Sequence, residues 1–377
     1  MFPKLLIQLV SFFLAATGSL AAADAECRPA EKQLNKTLAN YRLPGRNGHS
    51  SYLTHDFIPT TCGSRLSVHY TEPTVYGNLT GSAKKPVLIL LHGWPQSSYA
   101  WRHVTQALSE RVPVIAFDTP GYGLSSPCAS GADQLTTGTA ILEAVTKIYG
   151  KNTSIILAGH DRGARIVQRL AVNIDHFPHV RAMGVFIVDI LPVYEKFRSF
   201  SKPQNAIGYY HWSFLPRGAF ALDMIKAYGG GNFIKGSLQG GSGPNEKGLK
   251  LFKSDNAWEV YANFFDQVSI ANYSISDFRS SATVEYETQE ADQKAGRKIK
   301  MPCFVFYSEH MQTRSGLSSS GFSMAEIWPN WVATGVKLIL EGVGRGIGHF
   351  IVEEAPEDTI QAMDSFMDDL EVDKAEA

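Results

Sequence analysis

The sequence predicts an α/β fold in which a mostly parallel central sheet carries helices on both faces and an inserted helical cap. Continuous apolar runs such as Pro86–Leu91 and Pro113–Phe117 are typical of strands buried in a parallel sheet. Helical patterns of ten or more residues alternate with these runs, which indicates βαβ units. From about residue 191 to residue 300 the strand pattern gives way to aromatic and glycine-rich pieces, which indicates an insertion.

The first 23 residues have the pattern of a secretory signal peptide. Lys4 precedes the apolar run Leu5–Leu14, and small residues follow through Ala23. A membrane anchor is the alternative, which the short apolar run disfavours. Secretion agrees with four Asn-x-Ser/Thr sequons, at Asn35, Asn78, Asn152 and Asn272. The sequence therefore predicts a secreted glycoprotein.

Residues 24–60 are predicted to be an N-terminal extension that lies over the core. The four cysteines, Cys27, Cys62, Cys128 and Cys303, allow three fully paired connectivities. We expect a disulfide bond between Cys27 and Cys62, which would connect the extension to the core. For Cys303 a free buried thiol is the alternative, because it lies in an apolar strand.

The predicted core is divided into residues 61–190 and 301–377, with the cap at residues 191–300 between them. A tract in the cap, Gly229–Gly243, holds seven glycines and is predicted to be a loop. The predicted core strands are, in chain order, Arg65–Thr71, Pro86–Leu91, Pro113–Phe117, Ile155–Ala158, Ala182–Val188, Pro302–Tyr307 and Val336–Leu340.

The composition suits a globular protein with a sizeable buried core. Of the 377 residues, 44% are hydrophobic and 19% are charged, and the formal net charge of -1 gives no basic surface for nucleic acid. No interior apolar run reaches the roughly 20 residues of a membrane span. Because no Cys-x-x-Cys motif or His/Cys cluster is present, we expect neither a metal nor a cofactor. The sequence leaves the oligomeric state open.

The predicted chemistry centres on Asp161, which stands in the frame G-x-D-x-G between an apolar strand and a helical segment. Gly159 and Gly163 indicate a sharp strand–turn–helix junction in which backbones pass close together. A carboxylate at the apex would attack carbon directly and leave an ester on the enzyme. The alternative is an ordinary junction with a capping aspartate.

Other predicted strand ends supply the remaining groups of a nucleophile-and-base mechanism. Asp189 would orient His349, which would activate a water, and Glu309 is a competing acid for that position. The backbone N–H groups of Trp94 and Arg162 would form an oxyanion hole. The chain order of nucleophile, acid and histidine is that of α/β-hydrolases.

Several stretches resemble the epoxide hydrolase and haloalkane dehalogenase branch of the α/β-hydrolase fold. They are HGWPQSSYAWR (92–102), FDTPGYGLSS (117–126), GHDRGAR (159–165) and GHF (348–350). DRGAR (161–165), VDILPVYEKF (188–197) and YYHWSFL (209–215) are most similar to fluoroacetate (haloacetate) dehalogenases. The resemblance extends from about Pro86 to the C-terminus and does not cover the N-terminal extension.

The resemblance implies a role for individual residues. Arg162 and Arg165 would bind the substrate carboxylate, and His211 and Trp212 would hold the leaving halide. The sequence departs from the family at Phe278, which stands where the family has a cap tyrosine. Tyr210 is an alternative proton donor, and Tyr273 is a second tyrosine that could lie near this position.

The predicted function is a secreted hydrolase that acts on an anionic small molecule through an ester on Asp161. Haloacetate or 2-haloacid dehalogenation is the first hypothesis. An epoxide hydrolase that uses the same nucleophile with Tyr210 as acid is the second. The third is a divergent biosynthetic or non-hydrolytic member of the fold.

Overall fold

The computed structural model describes residues 52–314 and 322–373. The predicted signal peptide, Asn35 and Cys27 lie outside these described residues. Within them, one sheet has the strand order β1-β2-β4-β3-β5-β6-β7-β8. Its strands are β1 (Thr54–Pro59), β2 (Arg65–Tyr70), β3 (Val87–Leu91), β4 (Val114–Phe117), β5 (Thr153–His160), β6 (Val180–Val188), β7 (Cys303–Ser308) and β8 (Leu338–Val343).

The sheet is mostly parallel, which confirms the predicted fold class. Only the pairs β1–β2 and β2–β4 are antiparallel. The sheet begins earlier than the sequence predicts, because β1 lies within the segment assigned to the extension. The residues of β1, THDFIP, are partly or fully exposed, so this edge strand has no apolar run that would reveal it.

Helices cover both faces of the sheet, and β3 and β5 are therefore buried along their whole length. Because successive strand residues point to opposite faces, Val185 and Ile187 join the core under α3, while Phe186 contacts the tilted ring of Phe366 from α16. The helices outside the cap are α1 (Thr105–Ser109), α2 (Gln134–Tyr149), α3 (Arg162–Val172), α13 (Glu309–Arg314), α14 (Met324–Ile327), α15 (Ile351–Glu354) and α16 (Pro356–Asp369).

The segment between β6 and β7 is mostly helical. Its helices are α4 (Val193–Ser199), α5 (Pro203–Gly208), α6 (His211–Phe214), α7 (Ala219–Tyr228), α8 (Gly230–Gly241), α9 (Glu246–Lys253), α10 (Ala257–Phe265), α11 (Val268–Ser280) and α12 (Tyr286–Ala295). The predicted loop at Gly229–Gly243 is wrong, because most of this tract forms α8. Glycine serves close packing here: a Cβ on Gly230 would lie 2.3 Å from the carbonyl oxygen of Phe265.

The disulfide bond joins Cys62 to Cys128, so the predicted Cys27–Cys62 pairing is wrong. Cys62 lies in the turn between β1 and β2, and Cys128 lies in the loop after β4, which is the neighbour of β2. The sheet order thus brings the two cysteines together across 66 residues of sequence, with Cα atoms 5.1 Å apart. Cys303 is a free, buried thiol in β7, which is the alternative that the sequence offered for this residue.

No helix among the described residues is both long enough and apolar enough to span a membrane.

Candidate active site

Asp161 occupies the sharp turn between β5 and α3, with φ 45° and ψ -112°. This backbone conformation is uncommon for a residue that carries a side chain. It is possible because the neighbouring positions have no Cβ: one on Gly159 would lie 2.4 Å from the carbonyl carbon of Gly163. A Cβ on Gly93 would lie 2.7 Å from the Cβ of Asp161 itself. The glycines thus let three backbone segments converge around this carboxylate.

His349 lies between two carboxylates that follow neighbouring strands. Its Nδ1 is 2.6 Å from Oδ2 of Asp189, and its Nε2 is 3.6 Å from Oδ2 of Asp161. The N–H of Ser308 donates to Oδ1 of Asp189 at 2.9 Å and fixes that carboxylate. The structure therefore brings Asp161, Asp189 and His349 together.

The two carboxylates and the imidazole stabilise one another's charges. Burial opposes the charged form of His349, but its contacts with Asp161 and Asp189 raise its pKa to about 9. Burial likewise opposes ionisation of Asp161, while His349 and the charge of Arg165 hold the pKa of Asp161 well below its usual range. The resting site is thus an aspartate–imidazolium–aspartate arrangement at neutral pH.

Backbone donors surround the Asp161 carboxylate. The N–H of Trp94 donates to Oδ1 of Asp161 at 3.0 Å. Arg162 is the first residue of α3, where a backbone N–H has no partner within the helix. These are the two donors that the sequence assigns to the oxyanion hole.

Buried histidines hold the loops that carry these groups. His92 accepts from the N–H of Thr119 at 3.0 Å, which joins the loops after β3 and β4. His160 contacts the carbonyl oxygen of His349 through Nε2 at 2.8 Å and the side chain of Gln96 through Nδ1 at 3.1 Å. Sequence reasoning gave His160 and Gln96 no role, since a buried histidine beside a nucleophile carries no separate motif.

The site opens into a cavity of about 390 Å³ between the sheet edge and the cap. Asp161, Asp189 and His349 lie along its wall on the sheet side. The cap contributes the segment Tyr209–Trp212 and one side of α8. Of the predicted substrate-binding residues, the cavity wall contains Arg165, His211 and Trp212.

The side chain of Arg162 does not line this cavity, which corrects its predicted role in binding substrate. Its guanidinium pairs with both carboxylate oxygens of Asp277 and donates to Oγ of Ser281 at 2.7 Å. These partners lie on and just after α11 of the cap. Because a buried guanidinium needs a counter-ion, this ion pair holds it against the cap and away from the cavity.

His211 and Trp212 line the cavity within a group of packed aromatic rings. His211 stacks on Trp94 with ring centroids 5.2 Å apart, and burial lowers the pKa of His211 to about 3. The side chain of His211 is therefore neutral at physiological pH. Phe278 is fully buried and contacts the rings of Trp94, His211 and Trp212 edge-on. It supports these rings without adding a polar group.

The residues considered as an alternative acid or proton donor lie at different places relative to the cavity. Tyr210 lines the cavity, although 51% of it is exposed. Tyr273 lies instead against Gly121, in a separate small pocket. Glu309 does not line the cavity, and its carboxylate packs beside Gly342 and Gly344 at the end of β8. The structure thus places Asp189, and not Glu309, against His349.

One cavity-lining cation, Lys196, was not singled out by sequence reasoning. It lies in α4, seven residues after Asp189, and is 4% exposed. The sequence contains no distinct signal for it, because Lys196 follows Glu195 in VDILPVYEKF and a pair of charged residues is also typical of an exposed helix position.

Among residues 52–314 and 322–373, no group of three or more histidine, cysteine, aspartate or glutamate side chains is arranged to hold a metal ion.

Comparison with known proteins agrees with the geometry of the site. The sequence profile described as the alpha/beta hydrolase family matches residues 88–362. The chain is 29% identical over 287 residues to the fluoroacetate dehalogenase of a Burkholderia species, covering 75% of this chain and 88% of that protein. It is 28% identical over 282 residues to the soluble epoxide hydrolase of Corynebacterium strain C12, covering 72% and 86%.

The fold is also that of solved structures. The Cif epoxide hydrolase of Acinetobacter nosocomialis superimposes with a TM-score of 0.68 at 19% identity, covering 90% of this chain and 96% of that one. At this identity the likeness concerns the fold alone.

Proposed function

The chain belongs to the alpha/beta hydrolase family, and from that premise we propose that it hydrolyses a carboxylate-bearing small molecule through a covalent ester on Asp161. The observation that carries the proposal is the arrangement of Asp161, His349 and Asp189 at the wall of one cavity. Dehalogenation of a haloacetate or a related 2-haloacid is the reaction that fits best. The fluoroacetate dehalogenase relative supports this choice.

In the first step, a carboxylate oxygen of Asp161 attacks the carbon that bears the halogen. The new C–O bond forms as the C–halogen bond breaks, and the halide takes the bonding electron pair. Asp161 is ready for this step because its pKa lies well below its usual range. The neutral His211 and the indole N–H of Trp212 supply donors for the departing anion.

Ester formation prepares the base for the second step. Once Asp161 becomes an ester, it loses the negative charge that helps to raise the pKa of His349. His349 then releases its proton more readily and can deprotonate a water that attacks the ester carbonyl. Asp189 keeps the imidazole oriented through the 2.6 Å contact with Nδ1. The N–H groups of Trp94 and Arg162 stabilise the resulting oxyanion, at about 3 kcal/mol per donor.

Epoxide hydrolysis is the second candidate, and the position of Tyr210 favours it. Tyr210 lines the same cavity as Asp161, so a phenol is available within that cavity. The same nucleophile would open the epoxide ring, and Tyr210 would protonate the epoxide oxygen as its bond to the attacked carbon breaks. The soluble epoxide hydrolase relative is consistent with this chemistry.

A substrate screen of the purified protein tests the proposal and separates the two reactions. Haloacetates and 2-halopropionates are scored for halide release, and epoxides with and without a carboxylate are scored for diol formation. We expect halide release from the haloacids, and Asp161→Asn should abolish it. Diol formation without halide release would support the second candidate. The absence of both reactions would contradict the proposal.

We also propose that the protein is secreted and glycosylated. The signal-peptide pattern at residues 1–23 supports this, and Asn78, Asn152 and Asn272 are exposed. A disulfide bond is typical of oxidising compartments. Expression in a secretory eukaryotic host should yield medium-borne protein whose N-terminus lies near residue 24 and whose mass falls on deglycosylation. Retention of the full N-terminus inside the cell would contradict this.

A further inference from the structure

Lys196 is a buried cation in the cavity of Asp161, and the proposed mechanism gives it no role. It is 4% exposed, and its Nζ lies 2.7 Å from the centroid of the Tyr209 ring. Among the described residues, no carboxylate lies within ion-pair distance of Nζ. A buried ammonium without a counter-ion is unfavourable. The cavity therefore favours either loss of the Lys196 proton or arrival of an anion.

Arg165 is a second cation in the same part of the cavity. Its Nη1 donates to the carbonyl oxygen of Leu191 at 2.5 Å, and its Cζ lies 4.5 Å from the centroid of the Trp212 ring. Its buried Nε has no hydrogen-bond partner in the described part of the chain. Within the described residues Arg165 thus forms no ion pair with a carboxylate, in contrast to Arg162, which pairs with Asp277.

We propose that Lys196 and Arg165 together form an anion subsite that binds the substrate carboxylate, and that Lys196 determines the selectivity for anionic substrates. The inference rests on the proposed function. It assigns to Lys196 the part in binding the carboxylate that the sequence assigned to Arg162. The two cations line one cavity with Asp161, so a carboxylate held by them lies within the same enclosed volume as the nucleophile. Both cations have hydrogen-bond donors that an anion can use.

The groups around Lys196 make anion binding dependent on protons. Burial and the positive charge of Arg165 lower the pKa of Lys196 well below its usual range, while Asp189 and Asp161 offset part of this effect. His211 also faces Lys196 and is neutral. A bound carboxylate supplies the negative charge that the site lacks and so favours the ammonium. Binding should therefore be accompanied by uptake of a proton.

Calorimetric binding of glycolate and of its neutral analogue glycolamide tests the subsite without any turnover. Titrations of the unmodified protein at pH 8 in two buffers of different ionisation enthalpy report proton uptake. We expect glycolate to bind at least tenfold more tightly than glycolamide and to take up protons. Equal affinity for the two ligands would overturn the subsite. Because halide release is not measured, a failure here is distinct from a failure of the proposed function.

Variants assign the effect to Lys196. K196M should bind glycolate at least tenfold more weakly, bind glycolamide unchanged and show no proton uptake from this residue. K202M removes an exposed lysine near α5 and should behave like the unmodified protein. K196R keeps a permanent charge, so it should retain glycolate affinity while losing the proton uptake. Glycolate affinity and proton uptake that are unchanged in K196M would overturn the inference.

Discussion

Asp161 and His349 form a pair of charges at rest, and in the proposed mechanism this determines how each step depends on pH. The pKa of Asp161 lies well below its usual range, so the nucleophile stays ionised throughout the physiological range. His349, with a pKa of about 9 in the free protein, is protonated at the start of the cycle. In the proposed mechanism, Asp161 can therefore attack while His349 is still protonated and unable to act as a base.

Ester formation and ester hydrolysis should therefore respond differently to pH. In rapid-quench single turnovers, we expect the rate of ester formation to be flat between pH 8 and pH 5. The rate of ester hydrolysis should rise with pH, because His349 must lose its proton to act as a base. An ester-formation rate that falls with a midpoint between pH 6 and pH 7 would contradict an ionised Asp161.

At the scale of the elements, some glycines of α8 are required for close packing, whereas others have room for a side chain. A Cβ on Gly230 would lie 2.3 Å from backbone of α10, whereas a Cβ on Gly236 would meet nothing within 4 Å. Alanine is favoured over glycine within a helix by about 1 kcal/mol. Gly243 similarly lies against Gly346 and Gly348, so the end of this tract contacts the loop that carries His349.

Alanine at these two positions should have opposite effects on stability. G230A should lower the free energy of unfolding because α8 must move away from α10. G236A should raise it by about 0.5–1 kcal/mol, since the helix gains propensity without a clash. Urea unfolding monitored by circular dichroism measures both. Loss of stability in G236A would contradict the helical assignment of this tract.

The Cys62–Cys128 bond fixes the edge of the sheet to the loop after β4. It spans 66 residues, for which the chain-entropy relation gives about 4 kcal/mol of stabilisation. The double variant C62A/C128A should therefore unfold at a lower urea concentration, with a loss of about 2–4 kcal/mol. As a control, disulfide mapping of the unmodified protein should leave Cys303 unpaired. An unchanged unfolding midpoint in the double variant would contradict the cross-link.

Across the whole molecule, buried histidines stabilise the folded state at neutral pH and destabilise it in acid. Burial lowers the pKa of five histidines. The pKa falls to about 3 for His211 and to about 4 for His69, His103 and His160, and that of His92 is lowered as well. Each group takes up a proton on unfolding below its ordinary pKa of about 6.5. Their stabilising contribution is therefore complete above pH 6.5 and is lost as the pH falls towards 4.

Buried carboxyl groups with a raised pKa, such as Glu285 and Glu353, act in the opposite direction. Burial raises the pKa of Glu285 and of Glu353 to about 7, so each holds a proton in the folded state that it releases on unfolding. Their contribution is present below about pH 4.5 and is lost as the pH rises through 7.

Each of these histidines makes the fold less stable in acid, and each carboxyl group with a raised pKa does the reverse. H69Q should therefore reduce the proton uptake on unfolding near pH 5.5 by about one, which lowers the slope of the free energy of unfolding against pH by about 1.4 kcal/mol per pH unit. Urea titrations of H69Q and the unmodified protein at several pH values measure the two slopes. Equal slopes between pH 6.5 and pH 4.5 would contradict the assignment of His69.

The parts of the structure that follow from local patterns were predictable from the sequence. The buried strands are apolar runs, and Gly159, Asp161 and Gly163 form a contiguous motif, so the core and the Asp161 junction could be derived. Long-range pairing carries no such pattern. The Cys62–Cys128 bond depends on strand order. The ion pair between Arg162 and Asp277 depends on how the cap packs against the sheet domain. Lys196 was missed because a buried and an exposed lysine look alike in a sequence.

The central claim is that Asp161 forms an ester with the substrate, and isotope labelling tests it most directly. A single turnover is carried out in H₂¹⁸O with enzyme in excess over a haloacid, and the protein is then digested with trypsin in ordinary water. The peptide Asn152–Arg162 contains Asp161 as its only side-chain carboxylate. The ester mechanism predicts that this peptide gains one ¹⁸O and that the product is unlabelled. A labelled product with an unlabelled peptide would show direct attack by water and contradict the claim.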